Sequence, residues 1–372
     1  MKARVMTPYR AVAVIGVALT VGVVPVPAAW IEQIYSREVY LVGQQVLTSL
    51  SSLFRVALLD VMAVLALVGF ICWWVRAFRA DAQKSRIRIV AEMCLNTMAT
   101  AAVLYLMFMV LWGFNYRREP LVTKLEYDAT RISPERLHDF SRETVEQLNR
   151  LHSIASRTAW PDFEDLPNRF GPAFGVVQRR IGGSRTAVVG RPKPTLLSPY
   201  FERAGIDGMV SPFSLEVLVN HTVLPYERPF LVAHEWAHLA GYANEAEASF
   251  VGFLTCLAGD EQSQYSAWLF LIPQLVRHLP QKERTDVYEG LRDGPRQHLR
   301  EISDRLNRAV PFVRRNANLA YDRFLRANRV AGGIASYGLV VDLLMGTSGS
   351  DVWKGLMQRD DMISRVLGEN DV

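Results

Sequence analysis

The residues whose types and spacing suit chemistry lie in one stretch, PFLVAHEWAHLAGYANEAEASF, from Pro229 to Phe250. It contains His234-Glu235-Trp236-Ala237-His238, an HExxH arrangement. Residues i and i+4 share one face of a helix, so both imidazoles reach a single zinc ion. Glu235 sits one step round the helix from His234, beside the open position of the metal rather than on it. From there it takes a proton from a metal-bound water as general base and returns it to a leaving amine. This is the chemistry of a zinc metallopeptidase. Phe230, Leu231, Val232, Ala233, Trp236, Ala237, Leu239 and Ala240 surround the motif, so the helix is expected to be buried. A buried carboxylate with two imidazoles needs a partner, and a cation supplies one.

Catalytic zinc takes a third protein ligand and keeps a fourth position open. The candidates are Asn244, Glu245 and Glu247. Gly241 is expected to end the helix in a left-handed cap. Asn244 then fits the N-cap of a second helix, with Glu247 three residues on in a capping-box arrangement. That leaves Glu245 free to turn back to the metal, with Glu247 as the alternative. The three cysteines, Cys72, Cys94 and Cys256, form no CxxC pair, so a thiolate site is not expected. Zinc is the default metal for His and carboxylate donors. Stabilising the transition state calls for a Tyr, His or Arg near the oxyanion. His221, Tyr226, Tyr242 and Tyr337 are the candidates, no spacing rule selects among them, and Tyr337 is preferred.

Half of the 372 residues are apolar, and the excess lies before residue 115. Residues near 11–29, 53–75 and 93–114 are each about the 20 residues that cross a hydrocarbon core as a helix. The division expected is a membrane domain over 1–114 and one domain over 115–372. The first span also resembles a signal peptide with a cleavage site near Ala28-Ala29. Arg76, Arg79, Lys84, Arg86 and Arg88 between the second and third spans place that loop in the cytoplasm. The chain after residue 114 is then extracytoplasmic, and the expected location is a cell membrane, the inner one where there are two. Asp60, toward one end of its span, is expected to meet water or a neighbouring helix. The net charge of +5 comes from membrane flanks and wet helix faces rather than a nucleic-acid groove. The implied partners are the lipid bilayer and a peptide or protein substrate at the cell envelope.

The later domain reads as α+β and mainly helical. Ser133-Pro134-Glu135 starts a helix over 133–153. Gly182-Gly183 within the alternating run 174–190 suggests a hairpin. Residues 213–220 read as a strand; likeness to zinc peptidases implies an edge strand there that pairs with substrate, where Glu216 and Asn220 either line the cleft or are solvated. Residues 282–327 read as charged helices broken at Gly294-Pro295.

Two resemblances follow. NEAEAS is similar to the second helix of the glutamate-ligand zinc peptidases, with Glu245, Ala248 and Ser249 on its pattern and Ser249 where an Asp is usual. Trp112-Gly113-Phe114-Asn115-Tyr116-Arg117, Pro212-Phe213 with Glu216 and Asn220, His234 to Glu247, and Ser336-Tyr337-Gly338 resemble a bacterial membrane family, domain of unknown function 3810. That resemblance implies three apolar spans before an HExxH domain and a zincin-like fold. The contrasting expectation is a non-catalytic membrane sensor or scaffold with a structural or vestigial zinc site.

Overall fold

The computed structural model describes residues 6–79, 85–183, 185–330 and 339–353. The chain is mainly helical. Helix α1, Pro8–Val23, stops before Pro25 and Pro27, which cannot donate to a helical ladder. Past these prolines α2 (Ala28–Trp30), a π-helical stretch (Ile31–Val39) and α3 (Tyr40–Ser52) run on, turned 105° from α1. Then come α4 (Leu58–Arg79) and α5 (Arg86–Leu111). Two helices among the described residues, Leu58–Arg76 and Arg86–Leu111, are long and apolar enough to cross a membrane. They match the second and third expected spans. The first qualifies only if α1 is joined across its bend to Ala28–Ser52.

A row of polar side chains ties the turned segment to the later domain. Residues 31–52, expected as a loop between spans, carry Tyr40, Gln44 and Thr48 along one face. The Tyr40 hydroxyl donates to Leu239 O at 2.9 Å. Gln44 exchanges hydrogen bonds with the Val188 backbone, and Thr48 donates to Leu215 O at 2.7 Å. This face is therefore committed to the later domain, and its packing does not stop at residue 114.

That domain comprises α6 (Pro134–Ala155), α7 (Leu166–Arg180), β1 (Pro192–Lys193), α8 (Ser198–Ala204), β2 (Gly208–Val210), β3 (Val217–Val219), α9 (Arg228–Leu239), α10 (Glu245–Leu257), α11 (Glu261–His278), α12 (Gln281–Gly290), α13 (Asp293–Asn307), α14 (Pro311–Ala327) and α15 (Val340–Gly346). Ser133 caps α6 as expected, accepting from Arg136 N. Two expectations change. The run 174–190 is no hairpin: α7 continues to Arg180, and Gly182 at φ +85° turns the chain out of it. Gly294-Pro295 is no break either. Proline is tolerated in a first turn, so the pair opens α13 and the break falls before Asp293.

The sheet has the order β1-β3-β2, with β1 parallel and β2 antiparallel to β3. So β3 is the central strand, not the edge strand expected over 213–220. Asn220 N donates to Asp207 O and Ser211 N to Glu216 O, so odd-numbered residues of β2 face β3. Gly208 and Val210 direct their backbone groups to the free edge, beside α9.

Glu216 lines no cleft. It is buried, pairs with Lys193 Nζ at 2.7 Å, and accepts from Leu58 N and Leu59 N, capping α4. Asn220 closes a turn, accepting from Thr222 N and donating to Ile206 O. Asp60, in the first turn of α4, accepts from Thr195 Oγ1 and Leu196 N. Its partner is the domain surface.

Candidate metal centre

Helix α9 is apolar on every side, and every residue from Pro229 to Leu239 except His234 is buried. Such a helix belongs in a core. Phe170 and Phe174 pack on the Trp236 ring, and Trp236 Nε1 donates to Gly190 O at 2.8 Å. The rotation of α9 is thereby fixed, and with it the direction of His234 and His238.

The helix ends where Gly241 adopts φ +83°. Gly241 N donates to His238 O and Tyr242 N to Ala237 O, a Schellman closure. A Cβ at Gly241 would lie 2.8 Å from Asn115 Oδ1, so glycine is required for space as well as for φ. Arg118 stacks over the Tyr242 ring and donates to Gly241 O at 3.0 Å. Asn244 then caps α10, accepting from Ala246 N and Glu247 N. The chain has reversed within a few residues, and Glu245 at the first position of α10 faces back to α9.

The two arms meet. His234 Nε2 lies 3.1 Å from His238 Nε2, and Glu245 Oε2 lies 3.2 and 3.3 Å from them. Three donors around a tetrahedral zinc, at bonds of about 2.0–2.1 Å, stand about 3.3 Å apart. The triangle matches that spacing. Two imidazole nitrogens at 3.1 Å cannot both present lone pairs to each other, so a proton or a cation lies between them. His238 Nδ1 donates to Tyr242 O at 2.8 Å, because a carbonyl only accepts, so in the neutral ring the lone pair is on Nε2. Ser249 Oγ sits 3.2 Å from His234 Nδ1, where an outer partner sets the orientation of the ring. Glu235 Oε2 is buried without a hydrogen-bond partner, and Glu245 Oε2 faces the two imidazoles.

The electrostatics agree. Burial raises a carboxyl, but the facing imidazoles outweigh it at Glu245 and hold this group well below the usual range. Burial lowers His238, yet Glu245 outweighs that and holds the ring up to about 9. Positive charge is thus favoured among these three atoms, as a proton or as a metal that displaces it. At Glu235 burial outweighs the opposing charge of His238 and pushes the carboxyl up to about 8.

Glu247, the alternative ligand, points elsewhere and accepts from Leu121 N at 2.6 Å. It also does not return a bond to Asn244, so the expected capping box is half formed. Of the oxyanion candidates, His221 is exposed on a turn. Tyr226 donates to Glu301 at 2.6 Å and stacks on His298. Tyr242 lies under Arg118, and Tyr337 falls outside the described residues. The residue that sequence reasoning missed is Tyr321 of α14, whose hydroxyl donates to Glu245 Oε1. It lies 76 positions from its partner, and no local pattern marks it.

Gly208 of β2 comes against Glu235. A Cβ there would stand 2.8 Å from Glu235 Oε1 and 3.0 Å from Leu231 Cδ1. Arg305 of α13 ties this strand to the start of α9, pairing with Asp207 at 2.7 Å and Glu227 at 2.6 Å. So a free strand edge, a buried carboxylate and a three-donor cluster adjoin.

No curated protein and no solved structure matches the chain. A family model matches over residues 35–345, from the π-helical segment into α15, and so takes in the whole of this site. On that match the chain belongs to the family described as protein of unknown function, DUF3810.

Proposed function

We propose that this protein is a membrane-anchored, zinc-dependent peptidase with a zincin-like site. The observation that carries the reading is the His234–His238–Glu245 triangle, with sides of 3.1, 3.2 and 3.3 Å. Among the described residues, three donors make up the cluster. Catalytic sites keep three protein ligands, whereas structural zinc sites close with four, so the count favours catalysis over a scaffold.

His234, His238 and Glu245 would hold the metal. Zinc, when bound, supplies Lewis acidity toward a carbonyl and makes a water acidic enough to lose its proton near neutral pH. The protein's own residues do the rest. Gly208 and Val210 offer outward backbone groups to an extended substrate, laying it along β2 beside Glu235. Glu235 accepts a proton from the attacking water as the oxygen adds to the peptide carbon. It delivers that proton to the nitrogen as the C–N bond breaks. Its burial keeps bulk water from competing for that proton.

The test uses the full chain, because residues 31–52 pack against the site. Elemental analysis is expected to find about one zinc per chain in the wild type, lost in His234→Ala and Glu245→Ala. Glu235→Gln is expected to keep the zinc and lose peptide hydrolysis by at least about 100-fold. A folded wild type that binds no zinc when zinc is supplied would sink the reading.

A further inference from the structure

The metal centre hangs directly on the ends of the apolar helices. Trp112, the residue after α5, donates through Nε1 to His238 O at 3.4 Å, and its ring meets the His238 ring at 6.4 Å. Phe108, in the last turn of α5, meets Trp112 at 6.3 Å and Phe324 of α14 at 5.8 Å. A ligand imidazole is therefore two ring contacts from a helix long enough to span a membrane. At the end of α1, Arg117 donates to Val21 O at 2.9 Å and Arg329 to Val23 O at 3.0 Å. These arginines take up carbonyls that a helix end leaves open.

A continuous rim joins the start of α4 to the end of α5. Asp60 of α4 holds Leu196 N, and α8 follows at once. Arg203 O, in α8, accepts from Val310 N at the cap of α14, and Phe324 of α14 reaches Phe108. Apolar side chains stand open along this path: Leu196 is 73% exposed, Phe312 77% and Leu319 46%. Arg314, Arg315 and Arg323 stand among them, and Leu325 is the one fully buried residue of α14. Exposed apolar residues are ordinary when scattered. Here they follow a path that begins and ends at membrane-crossing helices. A helix carrying Phe and Leu among arginines suits the headgroup layer, where apolar groups enter the acyl boundary and arginines meet anionic lipid.

We propose that the α8–α14 rim lies in the lipid headgroup layer and that the substrate is the stretch of a membrane-anchored protein just outside its own span. The proposal rests on the peptidase reading and narrows its substrate class. An extended chain rises about 3.3 Å per residue, so the spacer between a substrate's anchor and its scissile bond sets whether it reaches the edge of β2. Anchoring also holds that segment at high local concentration.

The test uses the full chain in vesicles of phosphatidylethanolamine and phosphatidylglycerol. Leu319→Cys, made with Cys72 and Cys94 replaced by Ser, is spin-labelled, and its collisions with oxygen and with a water-soluble nickel chelate are compared. A label at headgroup depth is expected; one fully in water would overturn the proposal whatever the activity. One cleavable sequence is then offered free, behind a membrane anchor with a spacer of about 5 residues, and behind one of about 30 residues. The short-spacer substrate is expected to be cut at least about 10-fold faster than the free peptide. Equal rates, or a preference for the long spacer, would overturn the substrate class. Headgroup depth without cleavage of any substrate would instead overturn the peptidase reading and, with it, this one.

Discussion

Tyr321 donates to Glu245 Oε1 while Glu245 Oε2 faces the two imidazoles, so one carboxylate is held from behind and presented forward. The ring of Tyr321 stacks on Phe324, and Tyr116 hydrogen-bonds its hydroxyl, so the donor is itself fixed. Outer partners of this kind set ligand orientation, and their loss costs about 10–100-fold in metal affinity. Tyr321→Phe keeps the stacking ring and removes the donor. Zinc affinity is expected to fall about 10-fold in a chelator competition, with the thermal midpoint of the metal-free protein nearly unchanged.

Two glycines give separate tests of the proposed metal binding and the proposed catalysis. A Cβ at Gly252 would stand 3.0 Å from His234 N and 3.1 Å from His234 Cα, so the backbones of α9 and α10 must part. Gly252→Ala is expected to pull Glu245 away from the imidazoles and weaken zinc binding. A Cβ at Gly208 meets the end of a flexible side chain, Glu235 Oε1, which swings aside. Gly208→Ala is therefore expected to keep the zinc and lower kcat/KM by about 100-fold, the cost of displacing a reacting group by about 1 Å. Zinc titration beside peptide kinetics checks both, and the same loss in both variants would contradict the assignment.

Much of the site was legible because its determinants are local. HExxH spacing places His234 and His238, Gly241 marks the turn, and Asn244 at the cap orients Glu245. Glu247 was harder: the capping-box pattern is local, but its carboxylate finds a better-placed donor at Leu121, 126 residues away. Tyr321 answers to a contact across helices, which no periodicity encodes. The hairpin reading of 174–190 failed because Gly-Gly marks a chain reversal equally well at a helix end. The role of residues 31–52 was hidden because hydropathy sees a polar gap between apolar runs, whereas Gln44 and Thr48 are polar in order to bond another part of the chain.

Lys193 and Glu216 form a pair in which each side chain is 1% exposed. Removing one partner leaves a buried charge, which costs about 3–5 kcal/mol. Lys193→Met is expected to lower the thermal midpoint accordingly and leave any zinc stoichiometry unchanged, since neither residue touches the His234–His238–Glu245 triangle. Because Glu216 also caps α4, limited proteolysis near Leu58 is expected to rise in the same variant.

Glu32, on the π-helical segment outside the apolar helices, supplies a pH test. Burial would raise its carboxyl, but Arg118 and Lys124 outweigh that and bring it from 4.5 down to about 2. Arg118 carries the effect onward to Gly241 and Tyr242 at the end of α9. A lowered folded value means that the charged form is favoured by folding. The stabilisation is complete above about pH 4.5 and is lost as pH falls toward about 2, because the unfolded chain takes up the proton first. A shift of this size corresponds to about 3 kcal/mol. Glu32→Gln removes the titrating group while keeping its shape. Its stability deficit against wild type is expected to be greatest near neutral pH and to shrink steadily below about pH 4.5 in denaturant unfolding. A deficit that stays constant to about pH 2 would mean that Glu32 acts by packing rather than by charge.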